Sequence, residues 1–355
     1  MNVAVVGVGL IGGSIGLAAR ERLGAHVVGF DPDKGVGSAA LQRGAVERVA
    51  ASVAEAVANA ELVFVAAPVG VLAETLDAVL EAAPADCAVS DVGSTKRTIV
   101  SGRTDPRFIG GHPLAGAETS GVEHARADLF DGATWYLTPG IETSGALYER
   151  LHKALVGIGA QPAAIDAAVH DRVMASVSHL PHVFANVLVA QAARALGDGA
   201  EVPATGPSFR DATRVAGANA TIWPDIYLSN SDALIALIDE TQQRLTAVRD
   251  ALAADDRDAI EHWNEGARLD RDALLGAGFA GGSLHELRAA VTDRPGIVAE
   301  IALALGRAQI SIVDMALAPS RDGGQGVVAL WVRGEEQAQR ATELIEALNI
   351  PVARA

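Results

Sequence analysis

The stretch GVGLIGGS, Gly7 to Ser14, decides how this chain is read. It follows a short apolar run, Val3 to Val6, and leads into Ile11 to Arg20, whose spacing is compatible with a helix. Strand, glycine turn and helix in this order are the start of a dinucleotide-binding unit. Gly7 allows the tight turn, Gly9 lets backbone approach a pyrophosphate, and Gly12 permits close helix packing. The helix N-terminus, with Leu10 and Ile11 in its first turn, is left to bind phosphates. A second strand, His26 to Phe30, ends at Asp31, twenty-four residues after Gly7, where an acid can bind the ribose hydroxyls. Asp31, reinforced by Asp33, would repel a 2′-phosphate. NAD rather than NADP is therefore the expected cofactor, with Lys34 the one nearby residue that argues the other way.

At 355 residues the chain exceeds one ordinary core, so two or three domains are expected. Its single cysteine, Cys87, excludes a disulfide framework and argues for a reducing compartment. No uninterrupted run of eighteen apolar residues occurs, and the N-terminus has no basic region before its apolar stretch. A cytoplasmic protein without membrane span or signal peptide is expected. A formal net charge of −16 makes nucleic acid a poor partner. It also means that an anionic substrate would have to be met by cations clustered locally. No metal site is expected.

The α/β rhythm continues past the glycine turn. Leu62 to Ala67 reads as a strand running into Pro68, and this strand end, Ala67 and Pro68, is assigned to the cofactor. Val71 to Leu80 reads as a helix and Ala88 to Asp91 as a strand followed by DVGSTK. Ser94 and Lys96 then lie just past a strand end, where open parallel sheets bind ligands. Phe108 to Gly111 leads in the same way to His112, and Thr134 to Leu137 reads as the last strand of the layer. His112, inside GGHPLAGAETSG, is the candidate base. Oxidising an alcohol by hydride transfer requires loss of the hydroxyl proton, and a neutral imidazole suits that task. The alternative is a buried histidine satisfied by backbone in a turn.

From about Asp166 to Leu275 the pattern becomes helical. In the segment from His170 to Leu196, His179 and His182 are three apart and share a helix face, and Pro181 between them should kink or open the helix. These histidines either face a cleft or merely satisfy an irregular helix. Arg210 and Arg214 are four apart, a spacing suited to carboxylate recognition, with ordinary surface arginines as the alternative. Two further helices, near Ser231 to Ala253 and Asp255 to Leu275, carry apolar faces that suit a homodimer interface.

Five motifs in order, GVGLIGGS, DVGSTK, GGHPLAGAETSG, HLPH and FRDATRVA followed by Trp223, resemble the prephenate and arogenate dehydrogenase family of tyrosine biosynthesis over residues 1 to 275. The resemblance implies a Rossmann-type domain that binds NAD or NADP and an all-helical second domain that dimerises. Its substrate is a cyclohexadienol with a ring carboxylate and a side-chain carboxylate, which loses hydride and CO2 to become aromatic. By resemblance His112 takes the 4-hydroxyl proton, and Ser94 hydrogen-bonds that hydroxyl and helps to orient the nicotinamide. Arg214 holds a substrate carboxylate. Thr119, Ser120, His179, His182 and Arg210 belong with the substrate pocket, and Trp223 helps to close it. Arg210 stands where some relatives carry Lys. Prephenate is the leading substrate, and arogenate the alternative, with Glu118 or Asp211 as candidate partners for its ammonium. Other Rossmann reductases with helical dimer domains share the first thirty residues but do not account for GGHPLAGAETSG with HLPH.

The tail reads as βαββαβ, the ferredoxin-like order. Leu284 to Val291, Ile310 to Ala318, Gly326 to Val332 and Pro351 to Arg354 are its strands, and Ile297 to Ala308 and Glu335 to Leu348 its helices. It resembles an ACT domain, whose DRPG turn, Asp293 to Gly296 with Ile297 after it, implies an amino-acid site and feedback by L-tyrosine. A dimerising or vestigial module is the alternative. The expected division is 1–165 for the NAD-binding domain, 166–276 for the helical domain, 277–283 for a linker and 284–355 for the ACT-like domain.

Overall fold

The computed structural model describes residues 1–115, 119–196, 205–217, 221–276, 284–292, 294–319 and 325–354. The expected linker 277–283, Asp293 and Glu118 lie outside these residues. The N-terminal sheet has eight strands: β1 (Asn2–Val6), β2 (His26–Phe30), β3 (Arg48–Val49), β4 (Leu62–Val65), β5 (Ala88–Asp91), β6 (Phe108–Pro113), β7 (Thr134–Pro139) and β8 (Gln161–Ala164). Their order is β3-β2-β1-β4-β5-β6-β7-β8, so the order reverses beside β1 and leaves the glycine turn at the switch point where such sheets bind nucleotides. The inner strands are apolar on both faces. All four residues of β4, Leu62 to Val65, are buried, as a parallel strand covered by helices on both sides requires.

Helices α1 (Leu10–Leu23), α2 (Lys34–Gln42), α3 (Val53–Val57), α4 (Val69–Ala82), α5 (Arg97–Val100) and α6 (Gly145–Gly157) cover the sheet. Gly7 has φ +91°, and a Cβ there would meet the Ala66 carbonyl oxygen at 2.4 Å, so only glycine fits this turn. One expectation is corrected. Thr134 to Leu137 is not the last strand: β8 pairs parallel beyond β7, a four-residue strand containing Pro162 that carries almost no sequence signal. Within the sheet, β6 and β7 pair antiparallel.

The helical region comprises α7 (Ala167–Met174), a π-helical turn (Ala175–His179), α8 (Leu180–Leu196), α9 (Pro207–Thr213), α10 (Trp223–Ser229), α11 (Ser231–Ala253) and α12 (Arg257–Gly276). The π turn ends two residues before Pro181, which lacks an N–H for a regular ladder, so the expected local opening is present. The run Ala167–Arg194 contains an 18-residue window of mean hydropathy 1.4, enough by length and composition to cross a membrane even though no uninterrupted apolar run exists. Its buried polar residues, His170, Asp171 and His179, are all engaged by protein groups. Its remaining apolar surface is largely uncovered within the chain, Val177 being 63% and Val187 56% exposed.

The tail has strands β9 (Leu284–Thr292), β10 (Ile312–Pro319), β11 (Gln325–Arg333) and β12 (Val352–Arg354) and helices α13 (Ile297–Arg307) and α14 (Glu335–Glu346). The sheet order β10-β11-β9-β12 with antiparallel pairing is ferredoxin-like. This domain is docked on the first one. Val298, Ile301 and Leu305 of α13 share one apolar core with Leu147, Leu151 and Ala164, and the buried His152 Nε2 lies 3.2 Å from the Ile312 carbonyl oxygen. The approach is so close that a Cβ on Gly306 would meet the Ala164 carbonyl oxygen at 1.6 Å. Gly306→Val is therefore expected to destabilise this docking by about 1–3 kcal/mol. Hydrogen exchange should speed up in β8 and α13 while β1 and β4 stay protected, and unchanged exchange in β8 and α13 would contradict the docking.

Candidate functional site

His112 lies within β6, not after it, and pairs with Tyr136 of β7. The strand read as Phe108 to Gly111 runs on through His112 to Pro113, and close neighbours explain the small residues Gly110 and Gly111. A Cβ would meet Thr138 Oγ1 at 2.2 Å on the first and the Asp91 carbonyl oxygen at 2.6 Å on the second. Beneath them, the buried Asp91 carboxylate accepts from Gly111 N at 3.0 Å and Gly93 N at 2.8 Å and is paired with the buried Lys96 ammonium. Burial pushes the Lys96 ammonium below its usual range against the attraction of Asp91.

The sequence reading missed the partners of His112. Its Nδ1 is 2.9 Å from His170 Nε2, and His170 Nδ1 is 2.8 Å from Asp171 Oδ1. The Asp171 carboxylate also accepts from the backbone N–H of Lys96 at 2.7 Å and of Arg97 at 2.9 Å. Burial works to raise the Asp171 pKa, but the bonds from His170 and the two amides outweigh it and hold the carboxyl below the usual carboxylate range. His112 is held well below the ordinary imidazole value by burial first, then by His170, Lys96 and His179. His170 is also lowered, by burial, against its bond to Asp171. Both rings are therefore neutral at physiological pH. The signal for His170 was slight: a His-Asp pair at the start of the segment whose later histidines drew attention.

The row continues into the helical region. Asn230 Nδ2 lies 2.7 Å from the Asp171 carbonyl oxygen and 3.2 Å from His179 Nδ1. Burial pushes His179 down to about 4, with His170 and His182 acting in the same direction and Asp171 opposing. Trp223 meets His179 edge-on, with centroids 6.1 Å apart, and stacks on His182 at 3.6 Å. Burial lowers the His182 pKa, and the nearby Arg214 adds to the effect. His112, His179, His182, Trp223 and Arg214 thus belong to one connected cluster. Arg214 opens the 3-10 turn (Arg214–Gly217) that follows α9, which carries Arg210, so the two arginines are not on one uninterrupted α-helix. Arg210, Thr119 and Ser120 are exposed. Ser94 is partly accessible in the loop between Asp91 and Lys96.

On the nucleotide side, Gly9 caps α1 without a side-chain hydrogen bond, and the first turn of that helix carries no acid. Its N-terminal amides are therefore available to an anion. A Cβ on Gly9 would meet nothing within 4 Å, so the backbone there faces open space. Asp31 accepts from Val8 N and Asp33 N, both at 3.0 Å, which fixes its carboxylate beside the turn. Ala67 and Pro68 begin the loop from β4 into α4, next to Ala66, on which Gly7 packs. These residues fit a dinucleotide.

The comparisons agree with this architecture. The family model "Prephenate dehydrogenase, nucleotide-binding domain" matches residues 15–163, "Prephenate dehydrogenase, dimerization domain" residues 166–265, and "ACT domain" residues 285–349. Prephenate dehydrogenase of Bacillus subtilis (strain 168) is 32% identical over 98% of this chain and 96% of its own. The chain belongs to the prephenate dehydrogenase family. Among solved structures, prephenate dehydrogenase from A. aeolicus in complex with hydroxyphenyl propionate and NAD+ is similar with TM-score 0.70 and 27% identity, over 77% of this chain and 98% of that one. Arogenate dehydrogenase from Synechocystis is similar with TM-score 0.66 and 26% identity, over 77% of this chain and all of that one.

Asn230 joins the two halves of the cluster through a buried amide. Asn230→Ala leaves the Asp171 carbonyl oxygen without this donor and is expected to cost about 1–3 kcal/mol in urea unfolding. A loss below about 0.5 kcal/mol would show that this bond does not support the site.

Proposed function

We propose that this enzyme oxidises prephenate with NAD, releasing CO2 and forming 4-hydroxyphenylpyruvate. The observation that carries the reading is a neutral His112, partly accessible, set between the strand ends of the nucleotide fold and a cluster that runs to Arg214. Bound NAD would supply the hydride acceptor. Gly7, Gly9, Leu10, Ile11, Gly12, Asp31, Ala67, Pro68 and Ser94 are the residues proposed to hold it. His112 accepts the proton of the ring hydroxyl, so that the carbon–oxygen bond becomes a carbonyl as the hydride leaves. The Arg214 guanidinium binds a substrate carboxylate. Ser94 donates to the hydroxyl oxygen and keeps it facing the base. His182 and Trp223, stacked, form the apolar wall that excludes water, with His179 behind them; Thr119, Ser120 and Arg210 complete the pocket. As the bond between the ring and its carboxylate breaks, CO2 leaves, the freed electron pair aromatises the ring and turns the carbonyl oxygen into a phenolate, and this oxygen takes back the proton held by His112; aromatisation makes the step effectively irreversible.

Prephenate leads over arogenate because the Bacillus subtilis relative that matches this chain end to end carries that name. Arogenate is the second reading, with Asp211 exposed on α9 as a candidate partner for its ammonium. The helical domain pairs two chains through α8, α11 and α12, which expose Leu188, Ile235, Leu245, Trp263 and Leu269. The proposed domains are those expected from the sequence, and the proposed location is the cytoplasm. L-tyrosine is the proposed effector, bound at the turn before α13, where Gly296 is left-handed with Pro295 before it and Ile297 after it. Feedback requires that tyrosine bind the active and inactive states unequally.

Initial rates of reduced-cofactor formation with prephenate and arogenate, each with NAD and NADP, test the substrate and cofactor together. Turnover is expected to be fastest with prephenate and NAD, and a lower KM for NADP would overturn the cofactor assignment. Calorimetry with L-tyrosine, with rates in its presence, tests the effector, and no heat with no change in rate would remove it. His112→Asn should lower kcat by about 10²–10⁴-fold with NAD affinity unchanged. Unchanged turnover would remove His112 as base. Because the folded environment lowers the His112 pKa, the acid limb of kcat/KM should fall below pH 6.5, with activity lost only as pH drops through that lowered value. A limb above 6.5 would contradict the assignment.

A further inference from the structure

We propose that His170 and Asp171 are positioning residues that lock His112 in the one tautomer able to act as base. The proposal rests on the function proposed above. Asp171 is ionised and can only accept, from Lys96 N, Arg97 N and His170 Nδ1. His170 therefore carries its proton on Nδ1. A neutral His170 then has a lone pair on Nε2, which can only accept across the 2.9 Å contact to His112 Nδ1. His112 must donate there. Its remaining proton is thus on Nδ1, and Nε2 keeps the lone pair that takes a proton from substrate.

The reverse arrangement would be inactive. If His170 were protonated on both nitrogens, it would donate to His112 Nδ1 and shift the His112 proton to Nε2, where it would face the substrate hydroxyl. Burial and the nearby Lys96 disfavour that charge on His170, while Asp171 and Asp91 favour it; the net direction is toward the neutral ring. The other titratable groups acting on His112 are Lys96 and His179, both disfavouring its protonation. Packing holds the rings as well. His170 is fully buried, meets His112 at 73° with centroids 5.1 Å apart, and is met edge-on by Tyr136 at 5.6 Å. When His112 accepts the substrate proton, its Nδ1–H keeps its acceptor, and the positive charge lies one ring away from the Asp171 carboxylate.

The test compares two variants in the full-length protein. His170→Leu keeps an apolar filling but removes the acceptor. His170→Gln restores it: Asp171 can only accept, so it takes the amide NH2 and leaves the amide oxygen to His112 Nδ1. Leu should lower kcat about 10²-fold with KM and NAD affinity unchanged, and Gln should recover at least about a tenth of parent kcat. Equal losses in the two variants, or a Leu variant within about threefold of parent, would overturn the proposal. So would a loss of kcat accompanied by weakened NAD binding and lowered Tm, which is the signature of a merely structural role. A parent that turns over neither prephenate nor arogenate contradicts the function reading instead. The 15N shifts of His112 then decide the proposal: a protonated Nδ1 in the parent supports it, and a protonated Nε2 overturns it.

Discussion

The Asp171 carboxylate is the constraint on which the site depends. It stands at the start of the helical region yet accepts two backbone amides from the loop that enters α5 in the nucleotide-binding fold. A buried carboxylate must have its lone pairs matched, so these bonds fix how the first helical turn sits on the sheet. The same carboxylate holds His170, which touches His112. Below them, Asp91 and Lys96 form a second buried pair that also accepts the Gly111 amide, one residue before His112. His112 is thus positioned by charges satisfied from two domains, and a change on either side is felt at its ring.

Much of this was legible in the sequence, and for identifiable reasons. The glycine turn, β2 and Asp31 were readable because dinucleotide binding demands fixed spacing. The predicted boundaries of β5 and α11 coincide with those of the structure, each being a run with a clear period and a clear stop. The βαββαβ tail was readable by the same alternation. Strand β8 was not, since Gln161 to Ala164 is short and contains proline. The strand read as ending at Gly111 runs on through His112 and Pro113, which pair with Tyr136 and Trp135, contacts that no local pattern encodes; Gly110 and Gly111 let it run close to Asp91 and Thr138. His170, Asp171 and Asn230 were missed because their value lies in contacts between residues 58 and 59 positions apart, which no local pattern encodes. His179 and His182 were readable from their helical spacing and Trp223 from motif resemblance, and the structure brings the three together.

The docked ACT domain adds a physical link between its turn and the sheet. Gly296 is packed so closely on the β7–α6 connection that a Cβ would meet the Ile141 carbonyl oxygen at 2.2 Å. In the same connection, the Thr143 hydroxyl accepts from Gly140 N at 2.9 Å and reaches the carbonyl oxygen of Phe108, the first residue of the strand that carries His112. The turn before α13 is therefore packed on a segment already joined to β6.

The central claim is that the site couples removal of a hydroxyl proton and a hydride to loss of CO2. Counting products in one reaction mixture tests it most directly, with NADH followed by absorbance and CO2 from carboxyl-labelled prephenate. The account predicts one NADH and one CO2 for each prephenate consumed, in step from the first turnover. NADH formed without CO2, or prephenate left unchanged in the presence of NAD, would contradict it.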